Sequence, residues 1–161
     1  MNAMYFFLIA LIIILDQGAK QLAESHLVLN QSIPLIKGML NLSLTYNYGA
    51  AFSILQNKQT LLIIITVIVS GIILFLMIKN IRAGHWSLML SLAMVFAGGI
   101  GNLIDRIRIG YVIDYLEVKF IQFPVFNIAD MAVVTGSFLL VYYILFVEGK
   151  IQKIKAENYD S

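Results

Sequence analysis

Hydrophobic residues in this chain are concentrated in four long stretches separated by polar segments. The stretches cover residues 4–22, 60–78, 87–104 and 128–147, and the second contains no charged residue. Each is close to the about 20 apolar residues that an α-helix needs to cross a bilayer. The pattern therefore predicts a mainly α-helical integral membrane protein with a four-helix transmembrane bundle. An even number of spans places both chain ends on one side of the membrane.

The long segment between the first two spans, residues 23–59, has a different pattern. Residues 33–48 are rich in β-branched, aromatic and turn residues, and apolar and polar residues partly alternate from Leu40 to Asn47. Such alternation is typical of short strands. Because open sheet edges are not tolerated in lipid, the segment is predicted to form a small β-structure outside the bilayer core.

The composition agrees with a membrane protein and excludes several classes of enzyme. The 161 residues are 60% hydrophobic and only 12% charged, whereas soluble domains are about 25% charged. We expect one membrane-embedded domain that covers residues 1–161. The net charge of +2, without a basic run, does not indicate a nucleic-acid partner. The chain has no cysteine and two histidines, so thiol catalysis is excluded and no metal or other cofactor is expected.

Four aspartates lie at the ends of the hydrophobic stretches: Asp16, Asp105, Asp114 and Asp130. An ionisable side chain at a membrane is by default a functional-site hypothesis, because its desolvation must be offset. Asp114 and Asp130 flank the loop between the third and fourth spans, so they can converge at one membrane face. Two adjacent carboxyls share one proton; the ionised member activates water and the protonated member polarises a carbonyl. This pair predicts an aspartyl protease.

Other polar residues near these acids have structural interpretations as well. Asp16 and Lys20 are four residues apart on one helix face and are predicted to form an ion pair. Asp105 is expected to be neutralised by the adjacent Arg106 and hence to be structural. Asn127 is a predicted cap of the fourth helix.

Glycines supply a further signal near the third span. Gly98, Gly99 and Gly101 are predicted to allow close contact between helices. Asn47, followed by Gly49, is suited to bind an extended peptide, because its amide both donates and accepts hydrogen bonds.

Two other functions fit a membrane protein of this kind. A small transporter or proton-coupled channel predicts acids distributed through the depth of the bilayer. An assembly factor without chemistry predicts that both aspartates can be replaced without loss of function. The distribution of Lys and Arg leaves the orientation in the membrane undecided.

Five motifs in this order resemble those of the bacterial lipoprotein signal peptidase (signal peptidase II) family of aspartyl membrane proteases, over roughly residues 10–147. They are Asp16-Gln17-x-x-Lys20, Asn47-x-Gly49-Ala50-Ala51-Phe52, Gly98-Gly99-x-Gly101-Asn102-x-x-Asp105-Arg106, Val112-x-Asp114-Tyr115 and Phe126-Asn127-x-Ala129-Asp130. Tyr115 is a departure, since the family often has Phe there.

The resemblance implies a fold, a reaction and a location. It implies four helices with both termini in the cytoplasm, and a β-cradle and short surface helix on the outer face of the bacterial cell membrane. The implied substrates are diacylglyceryl-modified prolipoproteins, cleaved just before the lipidated cysteine. Membrane lipid is the other expected partner, and we expect the protein to be a monomer. Sensitivity to globomycin-type inhibitors is also implied.

The resemblance assigns roles to residues by position. The catalytic dyad corresponds to Asp114 and Asp130. The residues expected to bind substrate or support the site are Asp16, Lys20, Asn47, Gly49, Asn102, Arg106 and Asn127.

Overall fold

The computed structural model describes residues 2–50, 54–82 and 84–150. Its elements are α1 (Asn2–His26), β1 (Ser32–Ile36), β2 (Leu40–Asn47), α2 (Gln59–Asn80), α3 (Trp86–Arg108), β3 (Val112–Val118) and α4 (Ile128–Tyr142), which continues as a π-helical segment, Tyr143–Glu148. The predicted fold class, a helical membrane protein with a small sheet, is confirmed.

Within these described ranges, four helical segments are long and apolar enough to cross a membrane: Ala3–His26, Gln59–Asn80, Trp86–Arg108 and Ile128–Glu148. Large side chains on their outer faces, such as Phe7, Phe75 and Phe138, are exposed. Lipid tails are as apolar as these side chains, so a spanning helix has no need to bury them in protein.

Helix α3 is the central helix and packs against α1, α2 and α4. Small residues make this possible, as predicted from the glycines. A Cβ atom added to Gly98 would overlap the carbonyl oxygen of Ala129 on α4, and one on Gly101 would lie 2.8 Å from Asp16 Oδ2 on α1. The glycines thus let the backbones of α3 and α4 approach closely and leave room for the Asp16 side chain of α1 at one end of α3.

The small sheet is antiparallel, in the order β1-β2-β3, within the described residues. Strand β3 pairs with β2 so that Asp114 lies opposite Thr45 and Val112 lies opposite Asn47. Ile113 and Tyr115 pack with Leu44 and with Ala23 near the end of α1. This packing fixes the sheet against the helical bundle and determines where Asp114 lies.

The helices extend beyond the apolar stretches that predicted them. Helix α1 continues to His26 and α3 to Arg108, because a helix can continue into polar residues once it leaves the hydrocarbon.

Turns occupy residues 54–57, and no separate short surface helix occurs between β2 and α2 in the described residues. Ala51 and Phe52 of the Asn47 motif lie outside them.

Candidate active site

Asp114 lies in the middle of β3 and is almost completely buried, with 2% of its side chain exposed. Its carboxylate accepts hydrogen bonds at both oxygens. Asn47 Nδ2 donates to Oδ2 at 3.0 Å, and Asn127 Nδ2 donates to Oδ1 at 2.7 Å. Burial raises the pKa of Asp114 to about 7, and the nearby charge of Asp130 acts in the same direction. Asp114 can therefore hold a proton near neutral pH.

Asp130 lies in the first turn of α4 and takes part in a reciprocal cap with Asn127. The Asp130 backbone N–H donates to Asn127 Oδ1 at 2.9 Å, and the Asn127 backbone N–H donates to Asp130 Oδ2 at 3.2 Å. The other carboxylate oxygen, Oδ1, accepts a hydrogen bond from Asn102 Nδ2 at 2.7 Å. The predicted cap is present, and it orients the carboxyl group as well as starting the helix.

Asn127 connects the two aspartates. Its Nδ2 group donates to Asp114 and also to Asn102 Oδ1, at 3.1 Å, while its Oδ1 accepts from the backbone of Asp130. Asp114 and Asp130 also interact electrostatically. The two acids predicted from the sequence are thus held around a single fully buried amide.

Asp114 and Asp130 line the same cavity, of about 410 Å³. Polar groups occupy one part of its wall, and the remainder is apolar. The apolar part consists of Ala50, Val112, Phe123, Pro124, Val125, Phe126, Met131, Val133, Val134 and the mixed side chain of Thr135. This cavity can accept an apolar ligand next to two carboxyl groups.

A second cavity, of about 230 Å³, adjoins the first at Asp114. Its lining is more polar: Thr45, Tyr46, Asn47, Tyr48, Gln56, Asn57, Asp114, Pro124 and Val125. The turn that lines it is held next to the end of β2, because the Asn57 backbone N–H and Gln59 Nε2 both donate to the Tyr48 carbonyl. Asp114 thus lies where an apolar and a polar cavity meet.

Behind the aspartates lies a buried cluster of charges. Lys20 Nζ is 2.8 Å from Asp16 Oδ2 and 2.8 Å from Asp105 Oδ2. Gln17 Nε2 donates to both Asp16 and Asp105, and Asp16 Oδ1 accepts from the backbone of Ala129 on α4. The predicted Asp16–Lys20 pair is present, and the cluster also ties α1 to α3 and α4.

The expected pairing of Asp105 with Arg106 is wrong. Asp105 points towards α1 and pairs with Lys20, whereas Arg106 Nη2 donates to the Gly49 carbonyl at 2.9 Å. Adjacent residues on a helix point in directions about 100° apart, so Asp105 and Arg106 face different neighbours. Gly49 in turn donates its backbone N–H to Asn47 Oδ1 at 2.9 Å. Arg106 therefore holds the loop that positions Asn47.

The structure also brings in residues that the sequence did not indicate. Residues 123–125 line one wall of the cavity and lead to the Phe126-Asn127 motif before α4. An apolar, proline-containing segment in a loop is a signal for such a wall. Gln17 was not predicted as a site residue, although it adjoins Asp16 and joins its cluster. Among the described residues, no group of His, Cys, Asp and Glu side chains has an arrangement that could hold a metal ion.

The chain matches known proteins over most of its length. A family model described as signal peptidase (SPase) II matches residues 8–146. The chain belongs to the signal peptidase II family. The lipoprotein signal peptidase of Enterococcus faecalis is 42% identical over 144 residues, which are 89% of each chain. That of Caldanaerobacter subterraneus is 43% identical over 143 residues, 88% of this chain and 96% of the relative.

Solved structures agree with this membership. A bacterial membrane enzyme determined by the in meso method at 2.3 Å resolution has a TM-score of 0.85 and 30% sequence identity, covering 89% of this chain and 88% of its own. Another, at 1.9 Å resolution, has a TM-score of 0.82 and 29% identity, covering 90% and 94%. As a signal peptidase II family member, the chain is a multi-span bacterial membrane peptidase that cleaves signal peptides from prolipoproteins.

Proposed function

We propose that this peptidase is an aspartyl endopeptidase in which Asp114 and Asp130 together activate a water molecule. The observation that carries the proposal is that both carboxyl groups line one cavity and are joined through Asn127. One carboxylate accepts a proton from water as the water attacks the scissile carbonyl, and the protonated partner donates a hydrogen bond to the carbonyl oxygen. When the C–N bond then breaks, the carboxyl that accepted the proton passes it to the leaving nitrogen. No covalent intermediate, metal or other cofactor takes part.

The substrate in this proposal is a diacylglyceryl-modified prolipoprotein, cleaved just before its lipidated cysteine. The two cavities support this assignment. The apolar cavity suits the apolar signal-peptide residues that precede the cleaved bond, while the diacylglyceryl chains of the cysteine remain in the bilayer. The more polar cavity suits the chain that follows the cleaved bond. Asp114 lies at their junction, where the scissile bond would be placed.

The supporting residues have distinct roles in the proposal. Asn47, Asn102 and Asn127 hold the two carboxyls by hydrogen bonds. Arg106 and Gly49 hold the loop that carries Asn47. Asp16 and Lys20 fix the buried side of the site, where α1 meets α3.

The proposal also covers orientation. The site lies where α3 ends and α4 begins, next to the sheet. We place this end at the outer face of the bacterial cell membrane, with both termini in the cytoplasm. The enzyme acts as a monomer in contact with membrane lipid, without a nucleic-acid partner, and globomycin-type peptides are expected to inhibit it.

The transporter alternative finds less support in this arrangement. It predicts acids spread along a path through the bilayer. Here Asp16, Asp105, Asp114 and Asp130 are gathered at one end of the bundle, connected through Lys20, Asn102 and Asn127.

The test is cleavage of a diacylglyceryl-modified precursor by protein purified in detergent. Asp114→Asn and Asp130→Asn are each expected to lower kcat by roughly 10³-fold, since positioned acid–base groups contribute about 10²–10⁴-fold. Glu117→Gln is the matched control: it also removes a carboxyl from β3, but Glu117 binds Ser32 and Lys119 outside the site. Normal turnover by either aspartate variant would refute the dyad. Absence of cleavage by the unmodified protein would instead favour an assembly factor without chemistry.

A further inference from the structure

The buried charge cluster is directed at Asn102. Besides its two carboxylate partners, Lys20 Nζ donates to Asn102 Oδ1 at 2.9 Å. Among the described residues, these three contacts match the three N–H groups of an ammonium ion. Lys20 is 2% exposed, and its partners Asp16 and Asp105 are 0% and 1% exposed. The ammonium is therefore fixed in place and cannot turn away from Asn102.

This contact determines which way the Asn102 amide faces. Its oxygen accepts from Lys20 and from Asn127 Nδ2, and its NH₂ group donates to Asp130 Oδ1 at 2.7 Å. The reversed amide would place its oxygen against the Asp130 carboxylate and its NH₂ group against the ammonium of Lys20. Both contacts would be repulsive, so the Lys20 charge excludes the reversed orientation.

We propose that Lys20 is a positioning residue of the reaction: it fixes the Asn102 amide so that Asp130 is held as the ionised partner that accepts the proton from water. Asp114 then carries the shared proton. The inference rests on the proposed function of the two aspartates and assigns their protonation. Lys20 then affects catalysis through Asn102, in addition to forming a structural ion pair with Asp16.

The surroundings of Asp130 favour a negative charge more than those of Asp114 do, as this assignment of the proton requires. Asp130 lies at the N-terminus of α4, where the helix dipole favours a negative charge. Asp114 lies on a strand without such a field, and burial raises its pKa to about 7. The other titratable groups that act on the pair are Asp16, Lys20, Arg106 and Tyr115.

The test removes the Lys20 donor without changing the charge of the cluster. Replacing Lys20 alone would leave two buried carboxylates without a counter-ion, and the protein would not be expected to fold. The double variant Lys20→Met/Asp105→Asn keeps the cluster of residues 16, 20 and 105 at the same net charge of about −1. Asp105→Asn alone is the control, since it retains Lys20 and its contact with Asn102.

The measurement is kcat and KM against pH, with a diacylglyceryl-modified precursor peptide in detergent. For the double variant we expect kcat to fall by about 10-fold with KM unchanged. The acidic limb of the profile should move up by about one pH unit, because the ionised Asp130 loses an oriented charge-assisted donor. The alkaline limb, which belongs to Asp114, should move less than the acidic limb, because the hydrogen bonds of Asp114 in the described residues do not involve Asn102. Asp105→Asn, which raises the cluster charge by one but keeps the Lys20 donor, should not move the acidic limb up.

A second comparison separates positioning from folding. In an Asn102→Leu background, the Lys20 effect on the acidic limb should shrink to the part that its charge exerts directly on Asp130, because the rest acts through Asn102. If the double variant does not accumulate, Lys20→Arg is the substitute. It should also lower kcat and move the acidic limb up, since a planar guanidinium cannot replace one nitrogen that faces three acceptors.

An acidic limb that does not move, or an equal loss at every pH, would overturn the role of Lys20 while leaving the dyad intact. Normal turnover by Asp114→Asn or Asp130→Asn would instead refute the dyad itself.

Discussion

At the scale of single residues, Asn127 has the most concentrated role in the site. One side chain caps α4, donates to Asp114 and donates to Asn102. The residue that caps the helix therefore also contacts both carboxyls, that of Asp114 through its side chain and that of Asp130 through its backbone N–H.

The protonation of Asp114 has a consequence for stability. Its pKa is raised from 3.8 to about 7 in the folded protein, mainly by burial. The folded state therefore binds a proton that the unfolded state has released between these values. The stabilisation is fully present below about pH 4 and is lost as the pH rises through about 7, and it is on the order of 4 kcal/mol.

Asp114→Asn should remove this dependence. The melting temperature in detergent is expected to fall more steeply between pH 5 and pH 8 for the unmodified protein than for the variant. Glu117→Gln should keep the steep dependence. Equal slopes for all three proteins would show that Asp114 is not held protonated.

The sequence predicted these residues unequally. Asp114 and Asp130 could be predicted because they flank one loop between two apolar stretches. The Asp16–Lys20 pair could be predicted because residues four apart lie about one helical turn apart. The Asp105–Lys20 contact could not be predicted, since it joins residues on different helices whose relative rotation depends on packing. The same reason explains why Arg106 was assigned to its neighbour rather than to Gly49.

At the scale of elements, the site depends on the close contact between α3 and α4. Gly98 and Gly136 allow this contact, since an added Cβ at either would meet backbone or side-chain atoms of the facing helix. The Asn102–Asp130 hydrogen bond spans the same interface. The sequence predicted that glycines pack here, but which helix they face followed only from the fold.

Gly98→Ala should separate the two helices. Its methyl group would overlap the Ala129 carbonyl and lie 2.7 Å from Val133 Cγ2, so we expect a loss of roughly 1–3 kcal/mol. Turnover should also fall, because Asn102 moves away from Asp130. Gly71→Ala is the control, since nothing lies within 4 Å of its added Cβ. Equal melting temperatures and turnover for both variants would contradict this role of the interface.

At the scale of the whole molecule, the account requires the sheet and the site on one side of the membrane and the α2–α3 connection on the other. The absence of cysteine from the chain makes this testable. Lys37 and Lys79 are exposed and lie on the sheet side and near the α2–α3 connection, respectively. In spheroplasts, a membrane-impermeant maleimide should label Lys37→Cys but label Lys79→Cys only after permeabilisation. The opposite pattern would reverse the proposed orientation.

The central claim is that the two aspartates act as one unit, and a double-mutant cycle tests it most directly. We would measure kcat/KM on a diacylglyceryl-modified precursor for Asp114→Asn, Asp130→Asn and the variant with both changes. Catalytic groups that act together are non-additive, so the double variant should be about as active as either single variant. A double variant whose loss is the product of the two single losses would contradict the account.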